Sequence, residues 1–295
     1  MDVRQERLGL LLGVIGVVIF GATLPATRVA VPELGFAFVT AGRAAGAGLI
    51  ALAVLAALRR PVPDAPTLGL LALVSLGVVW GFPLFSSYAM TRASSAHGGV
   101  ILAILPLATA LAGAAINGER PSGRFWGFAA LGAALVLGFA LGKGDEGEAG
   151  LGLGELALIA AVVSAAVGYA ISAKVARGMA GWEVISWAVV ISLPASVPVA
   201  FRTAPADFSA VSADAWTAFL YVTVMSQYVG FFAWNAGLKL GGVARVSQVQ
   251  LLQTFVTLAI AALVLSEPVD AGTVLFAVGV VAVVALGRRA PIRRA

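Results

Sequence analysis

Ten predominantly apolar stretches of about twenty residues follow one another along this chain, and no other feature constrains its fold as much. They are Leu8–Val31, Phe36–Leu58, Leu68–Met90, Ser95–Asn117, Gly123–Leu141, Leu153–Ala173, Trp182–Phe201, Ala215–Leu238, Ala244–Leu265 and Gly272–Leu286. A helix of about twenty residues covers the hydrocarbon layer of a bilayer. Inside that layer only helices and closed barrels satisfy every backbone group. Of 295 residues, 60% are hydrophobic and only 11% charged, whereas a soluble domain carries about 25% charged residues. The expectation is an all-α membrane protein of ten transmembrane helices. The first stretch is read as a span rather than a signal peptide, because nine similar ones follow it. There is no cysteine, so disulfides, thiol catalysis and Cys-based zinc sites are excluded.

Ten spans put both termini on one side, and the basic residues show which. Fourteen of the nineteen Lys and Arg residues fall on the side of the termini; Arg92, Lys143 and Arg202 fall on the other. Arg28 and Arg43 remain, near or inside the apolar layer. Positive loops stay inside, so both termini are expected in the cytoplasm and the protein in the cell inner membrane. The net charge of +5 then reads as an orientation signal, and no nucleic-acid partner is expected.

The chain also repeats itself. Residues 96–124 begin AHGGVILAILPLATALAG and close on Asn117-Gly118-Glu119-Arg120-Pro121. In the register 148 positions later, Ala96 falls on Ala244, Thr109 on Thr257, Ala114 on Ala262 and Glu119 on Glu267, and the helix closes on Ser266-Glu267-Pro268. The expected organisation is a five-helix repeat over residues 1–142, an outer-side linker at 143–152 and a second five-helix repeat over 153–295. An odd number of spans per repeat inverts the second relative to the first. Inverted repeats around a central cavity are the architecture of secondary transporters, which hold substrate near the midplane.

Polar side chains inside the spans mark where that cavity lies, since in hydrocarbon they must meet protein or water. Ser247, Gln250, Thr254 and Thr257 share one face of the ninth span, with Gln248 and Gln253 nearby. This face either hydrogen-bonds substrate or glues helices together. The eighth span carries Ser226, Gln227, Tyr228, Phe231, Phe232, Trp234 and Asn235, and the third Trp80, Phe82, Phe85, Ser86, Ser87 and Tyr88. Aromatic faces with polar tips suit an amphipathic ring. Tyr88, Trp182, Trp216 and Tyr221 lie near span ends, where an interfacial belt accounts for them; Trp80 and Tyr228 lie near mid-span. His97, the sole histidine, sits at the outer end of the fourth span, as a proton-coupling or substrate-contacting group or as a boundary histidine. Arg43, inside the second span, either binds a substrate carboxylate or pairs with Glu33 or Glu267. Glu119 and Glu267 read as structural. Pro25, Pro83, Pro106, Pro194 and Pro198 interrupt helices and free carbonyls that can line a cavity. The fifth and tenth spans, glycine-bearing and poor in polar residues, read as scaffold or a dimer contact.

No Asp or Glu lies in the middle of a span, which argues against a polycationic substrate. No phosphate-binding GxxxxGK[ST] occurs, so ATP does not drive the protein, and no acidic/His cluster has metal-ligand spacing. The sole histidine has no acidic partner in its own span, which argues against a membrane-embedded enzyme. A receptor would need an output domain, and none is expected.

With the doubled helix ending in Glu (NGERP and LSEP), Arg43 early in the second span and Tyr169 in the sixth, the chain resembles the drug/metabolite transporter superfamily in its ten-helix EamA-type form. Within it, the chain looks most like the bacterial aromatic-amino-acid exporter branch. The resemblance implies a basket-like bundle with the third, fourth, eighth and ninth spans prominent around the cavity, export of small metabolites, and a structural role for Arg43. In the second half Thr254 replaces Pro106 and Ile191 replaces Arg43, so the cavity is asymmetric. The expected substrate residues are Trp80, Ser87, His97, Tyr169, Gln227, Tyr228, Phe231, Asn235, Gln250 and Thr254, with Arg43, Pro106, Glu119 and Glu267 structural or gating. The expected partners are a small-molecule substrate, most readily an amino acid, and the lipid bilayer. The protein is expected to be a monomer or homodimer, without cofactor, metal or enzymatic activity.

Overall fold

The computed structural model describes residues 3–117, 120–142, 152–241, 249–288 and 292–293. The described residues are helical apart from short connections and one two-residue antiparallel pairing, in which Arg120 and Pro121 (β1) face Arg293 and Ile292 (β2). Residues 143–151 of the expected linker at 143–152, Glu119, Ser247 and Gln248 lie outside the described residues.

The helices in order are α1 (Val3–Gly21), α2 (Thr23–Leu34), α3 (Phe36–Ala57), α4 (Ala65–Val74), α5 (Phe82–Ala89), α6 (Ser95–Leu102), α7 (Leu105–Asn117), α8 (Gly123–Gly142), α9 (Leu153–Val175), α10 (Gly181–Thr203), α11 (Ala213–Leu220), α12 (Gly230–Gly241), α13 (Leu252–Val264) and α14 (Ala271–Arg288). Two π-helical stretches join neighbours without a break: π1 (Ser75–Gly81) links α4 to α5, and π2 (Tyr221–Val229) links α11 to α12. Among the described residues, six continuous helical stretches are long and apolar enough to cross a membrane: Arg7–Leu34, Phe36–Ala57, Ala65–Ala89, Ser95–Ile116, Leu153–Val175 and Gly181–Thr203. Shorter apolar helices cover Trp126–Phe139, Leu252–Val264 and Ala271–Val283.

The apolar exteriors identify the solvent. Leu8, Leu11, Ile15 and Val18 form an exposed stripe on α1, and Leu156, Ile159, Val163 and Val167 form another on α9. Stripes at helical spacing, repeated on element after element, far exceed the apolar patches a soluble monomer exposes. They face lipid.

The interior is built from cross-pairings. Along the chain α3 lies on α10, α1 on α12, α6 on α13, α8 on α14, and α4, π1 and α5 on α9. Helices before residue 142 thus pack chiefly on helices after residue 152, and the two stretches of chain interleave. Glycines allow the closest crossings: a Cβ on Gly77 of π1 would stand 2.7 Å from Ser164 O on α9, and one on Gly237 of α12 would stand 2.9 Å from Gly9 O on α1. In hydrocarbon such close backbone contact supplies the dispersion attraction that burial supplies in water.

The helix breaks have local causes. Pro25 has no N–H to give to Gly21 O, and Thr257 Oγ1 of α13 donates to that carbonyl at 2.7 Å instead. Pro83 follows π1, where Phe82 N donates five residues back to Gly77 O. α13 ends with Ser266 at φ 54, a left-handed turn in which Glu267 N donates to Ala261 O. This is the Schellman closure that glycine usually makes, and Gly118 holds the matching place in the first repeat. The turn carries the Glu267 carboxylate over the start of α6. There it accepts from Ser95 N at 3.0 Å, Ser95 Oγ at 2.9 Å and Ala96 N at 2.9 Å.

Candidate functional site

Arg43 stands at the wall of an internal space where several helices meet. It lies in the first half of α3 and is 2% exposed, because the small residues Ala44, Ala47 and Gly48 let the neighbouring helices close around it. Its Nη2 donates to Ser226 Oγ at 3.0 Å, and Ser226 Oγ shares a 2.8 Å hydrogen bond with Thr23 Oγ1. Arg43 Nε and Nη1 are buried and have no hydrogen-bond partner among the described residues. Arg43 shares the lining of a small cavity with Phe20 and Thr23 from α1 and α2, Val78 and Phe82 from π1 and α5, Leu105, Tyr169 from α9, Ser226 and Gln227 from π2, Phe231 and Gln253. Its floor is aromatic: Phe20 meets Phe231 edge-on at 5.1 Å, and Tyr169 meets Phe231 at 6.2 Å.

Both π-helical stretches reach this space. Widened turns leave carbonyls free of regular partners and re-aim side chains. Gln227 Nε2 of π2 donates to Val78 O of π1 at 3.4 Å, joining the two across the cavity wall. A second, adjoining cavity shares Leu105 and Gln253 with the first. Its wall is the polar face of α13 and the turn before it, Gln250, Thr254 and Thr257, set against Gly99, Leu102 and Pro106. Among the described residues, no carboxylate lines either space.

The geometry is that of a small-molecule site with one cation, several amides and hydroxyls and an aromatic floor, inside a lipid-facing bundle. The profile of the EamA-like transporter family matches the sequence twice, over residues 7–141 and 152–287. The chain belongs to the EamA-like transporter family. This EamA-like protein is therefore a multi-pass membrane protein of the drug/metabolite transporter superfamily. It is 42% identical over 277 residues to the uncharacterized transporter YdeK of Bacillus subtilis (strain 168), covering 94% of this chain and 96% of the relative. It also superposes on a crystal structure of a 21% identical protein with a TM-score of 0.64, over 94% of this chain and 95% of the other. At that identity the likeness is one of fold.

In the EamA-like protein, the expected site residues divide. Tyr169, Gln227, Phe231 and Arg43 meet at the first cavity; Gln250, Thr254 and Pro106 meet at the second. Trp80, Ser87, His97, Tyr228 and Asn235 line neither. Tyr228 shares a 2.8 Å hydrogen bond with Ser186 of α10 and packs edge-on to Phe232 at 4.6 Å, tying π2 to its neighbour. Asn235 Nδ2 donates to Gly181 O at 2.8 Å. Trp80 packs against the cluster of α1, α3 and α10, and Ser87 is fully buried. Arg43 pairs with neither carboxylate expected of it. Glu33 accepts from Ser212 N and Oγ, each at 2.6 Å, and Glu267 caps α6.

Sequence reasoning missed Phe20, Thr23, Val78 and Leu105 as lining residues, and it missed Glu155. His97 Nε2 stands 3.1 Å from Glu155 Oε1, with both side chains 5% exposed. The imidazole also stacks on Phe139, centroids 4.7 Å apart at 26°. Glu155 lies in the first turn of α9 and His97 in the first turn of α6, so two helix N-termini meet over this pair. Arg28, the other basic residue of the apolar layer, donates through Nη1 to Met90 O, past the end of α5.

Proposed function

We propose that the protein is a secondary carrier of the inner membrane that exports amino acids, aromatic ones favoured, and related small metabolites by alternating access. The observation carrying this reading is the pair of adjoining cavities, where residues from both repeats meet: Phe20, Arg43 and Val78 from one, Tyr169, Gln227, Phe231 and Gln253 from the other. An aromatic floor holds a ring by stacking and edge contacts, while a guanidinium and amides hold polar ends.

Ten spans with both termini cytoplasmic fit the division of basic residues between the two sides. Inverted repeats fit the cross-pairings: exchanging the first five spans with the last five maps α1 on α12 onto the crossing of α9 with the third span, and leaves α3 on α10 as it is. Since the repeats interleave, the bodies that tilt against each other are bundles drawn from both. Efflux of other amphipathic metabolites is the alternative. It is favoured by one feature, the lack of a carboxylate among the described residues of either cavity wall to face an ammonium group.

The test is reconstitution into liposomes with a panel of labelled amino acids, with and without a pH gradient. Saturable flux of phenylalanine, tyrosine or tryptophan is expected. Flux restricted to non-amino-acid amphiphiles selects the alternative, and the absence of any flux refutes a carrier.

A further inference from the structure

The Arg43 guanidinium is out of balance with its surroundings. It sits 2% exposed in the middle of an apolar bundle, makes one hydrogen bond through Nη2 to a neutral hydroxyl, and leaves Nε and Nη1 without partners among the described residues. Among the described residues no carboxylate lines the cavity beside Arg43, and the two acids whose position suited pairing are engaged elsewhere. A buried cation without a counter-ion is costly, and intramembrane charges pair with one another, with carbonyls or with a ligand. A helix-locking role would use the guanidinium's five donors on protein acceptors. Here they are held back, on a side chain fixed by Ser226 and Thr23. Phe20, Phe231 and Tyr169 stand around the same space.

From this we infer that Arg43 is the anion subsite of the carrier, taking the carboxylate of an amphipathic monocarboxylate whose apolar or aromatic tail lies against Phe20, Phe231 and Tyr169. The inference rests on the carrier reading and specifies its substrate class. With no acid on the wall, an α-ammonium group gains only neutral acceptors, so the site ranks head groups: a carboxylate alone binds at least as well as a zwitterion, and an amine alone binds worst. Ser226 and Thr23 are positioning residues that hold the guanidinium edge toward the cavity.

The probes are 3-phenylpropanoate, phenylalanine and 2-phenylethylamine, which share a ring and differ in charge. Equilibrium binding to the purified full chain in nanodiscs is measured alongside its thermal unfolding. The expected order of affinity is phenylpropanoate at or above phenylalanine, with phenylethylamine at least tenfold weaker. In Arg43→Gln the two carboxylates lose at least tenfold and the amine does not, while Arg43→Lys retains part of the preference. Unfolding supplies the readout that a structural role would move the other way: ligand-free Arg43→Gln unfolds no lower than wild type, because an unpaired buried charge has been removed.

Equal binding of acid and amine, or carboxylate affinity within twofold of wild type in Arg43→Gln, overturns the inference. So does a ligand-free Arg43→Gln protein that unfolds well below wild type with its head-group order intact. Liposome flux separates the two levels. Carboxylate-selective binding without flux of any probe leaves the anion subsite and removes the carrier; flux of all three probes at similar rates leaves the carrier and removes the anion subsite.

Discussion

Replacing Glu267 tests how the end of one repeat is tied to the other. Its carboxylate accepts three hydrogen bonds at 2.9–3.0 Å from Ser95 N, Ser95 Oγ and Ala96 N. The donors sit in the first turn of α6, where the helix dipole also favours a negative charge. A hydrogen bond to a charged group contributes about 1.5–3 kcal/mol, and the dipole about 0.3–1 kcal/mol. Glu267 is only half-buried, so the low end applies. Glu267→Ala, which leaves three donors unpaired beside a fully buried Ser95, is expected to cost about 3–5 kcal/mol. Glu267→Gln keeps one acceptor oxygen but loses the charge and turns an NH2 toward donors, for about 1–2 kcal/mol. The assay is reversible unfolding in mixed micelles, followed by circular dichroism. A double-mutant cycle with Ser95→Ala should return a coupling of about 1 kcal/mol for the hydroxyl bond alone. A Glu267→Ala protein within about 0.5 kcal/mol of wild type, or a Gln variant as unstable as the Ala variant, refutes the capping argument.

His97→Gln and Glu155→Gln each remove one side of the buried 3.1 Å contact and should each destabilise by about 1–3 kcal/mol; the same unfolding assay checks it. Ser266→Gly relieves a left-handed φ of 54° and should raise stability by about 0.5–1 kcal/mol in that assay. Phe231→Ala should weaken binding of aromatic substrates by about 0.5–1.5 kcal/mol beyond its effect on small ones, whereas Tyr228→Phe, which removes only the bond to Ser186, should leave the ranking of substrates unchanged in the flux assay. A reporter fused after Ala295 should read cytoplasm and one inserted at Gly147 the outer side, and both reading the same side would refute the proposed topology.

Much of the helical frame was legible because membrane spans announce themselves by length. The polar face of α13 was legible for a related reason: Gln250, Thr254 and Thr257 keep a helical period through apolar sequence, and they line one wall together. The π-helical stretches were not legible. Widening a turn inside an all-apolar run leaves hydrophobicity unchanged, and only the Gly81-Pro83 pair hinted at π1; π2 carries no proline at all. Tyr228 lies at mid-span as expected, but depth does not fix direction. The widened turns of π2 accompany a side chain aimed at Ser186, while Gln227 and Ser226 reach the cavity. Glu155 escaped notice because, at the first turn of its helix, it looked like a water-facing end. Only the tertiary fold brings His97 over it. A pair of threonines four apart, Thr23 and Thr27, was the available signal for the cavity side of α2, and it went unread because hydroxyls can bond back within their own helix, as Thr27 does to Thr23 O.

The interleaving of the two stretches of chain bears on how the molecule is made. The faces of α1, α3, α6 and α8 find their principal partners only among α10, α12, α13 and α14. At a synthesis rate of about 5–20 residues per second, the early helices wait on the order of ten seconds in the bilayer before those partners emerge. Through that interval the Arg43 face of α3 lies open to lipid or to whatever attends it at the ribosome exit. A nascent chain halted before α10 should thus be a target for insertion chaperones and membrane proteases. Conversely, the two stretches expressed as separate polypeptides should find each other and restore the whole, since the contacts that hold each one are held in trust by the other.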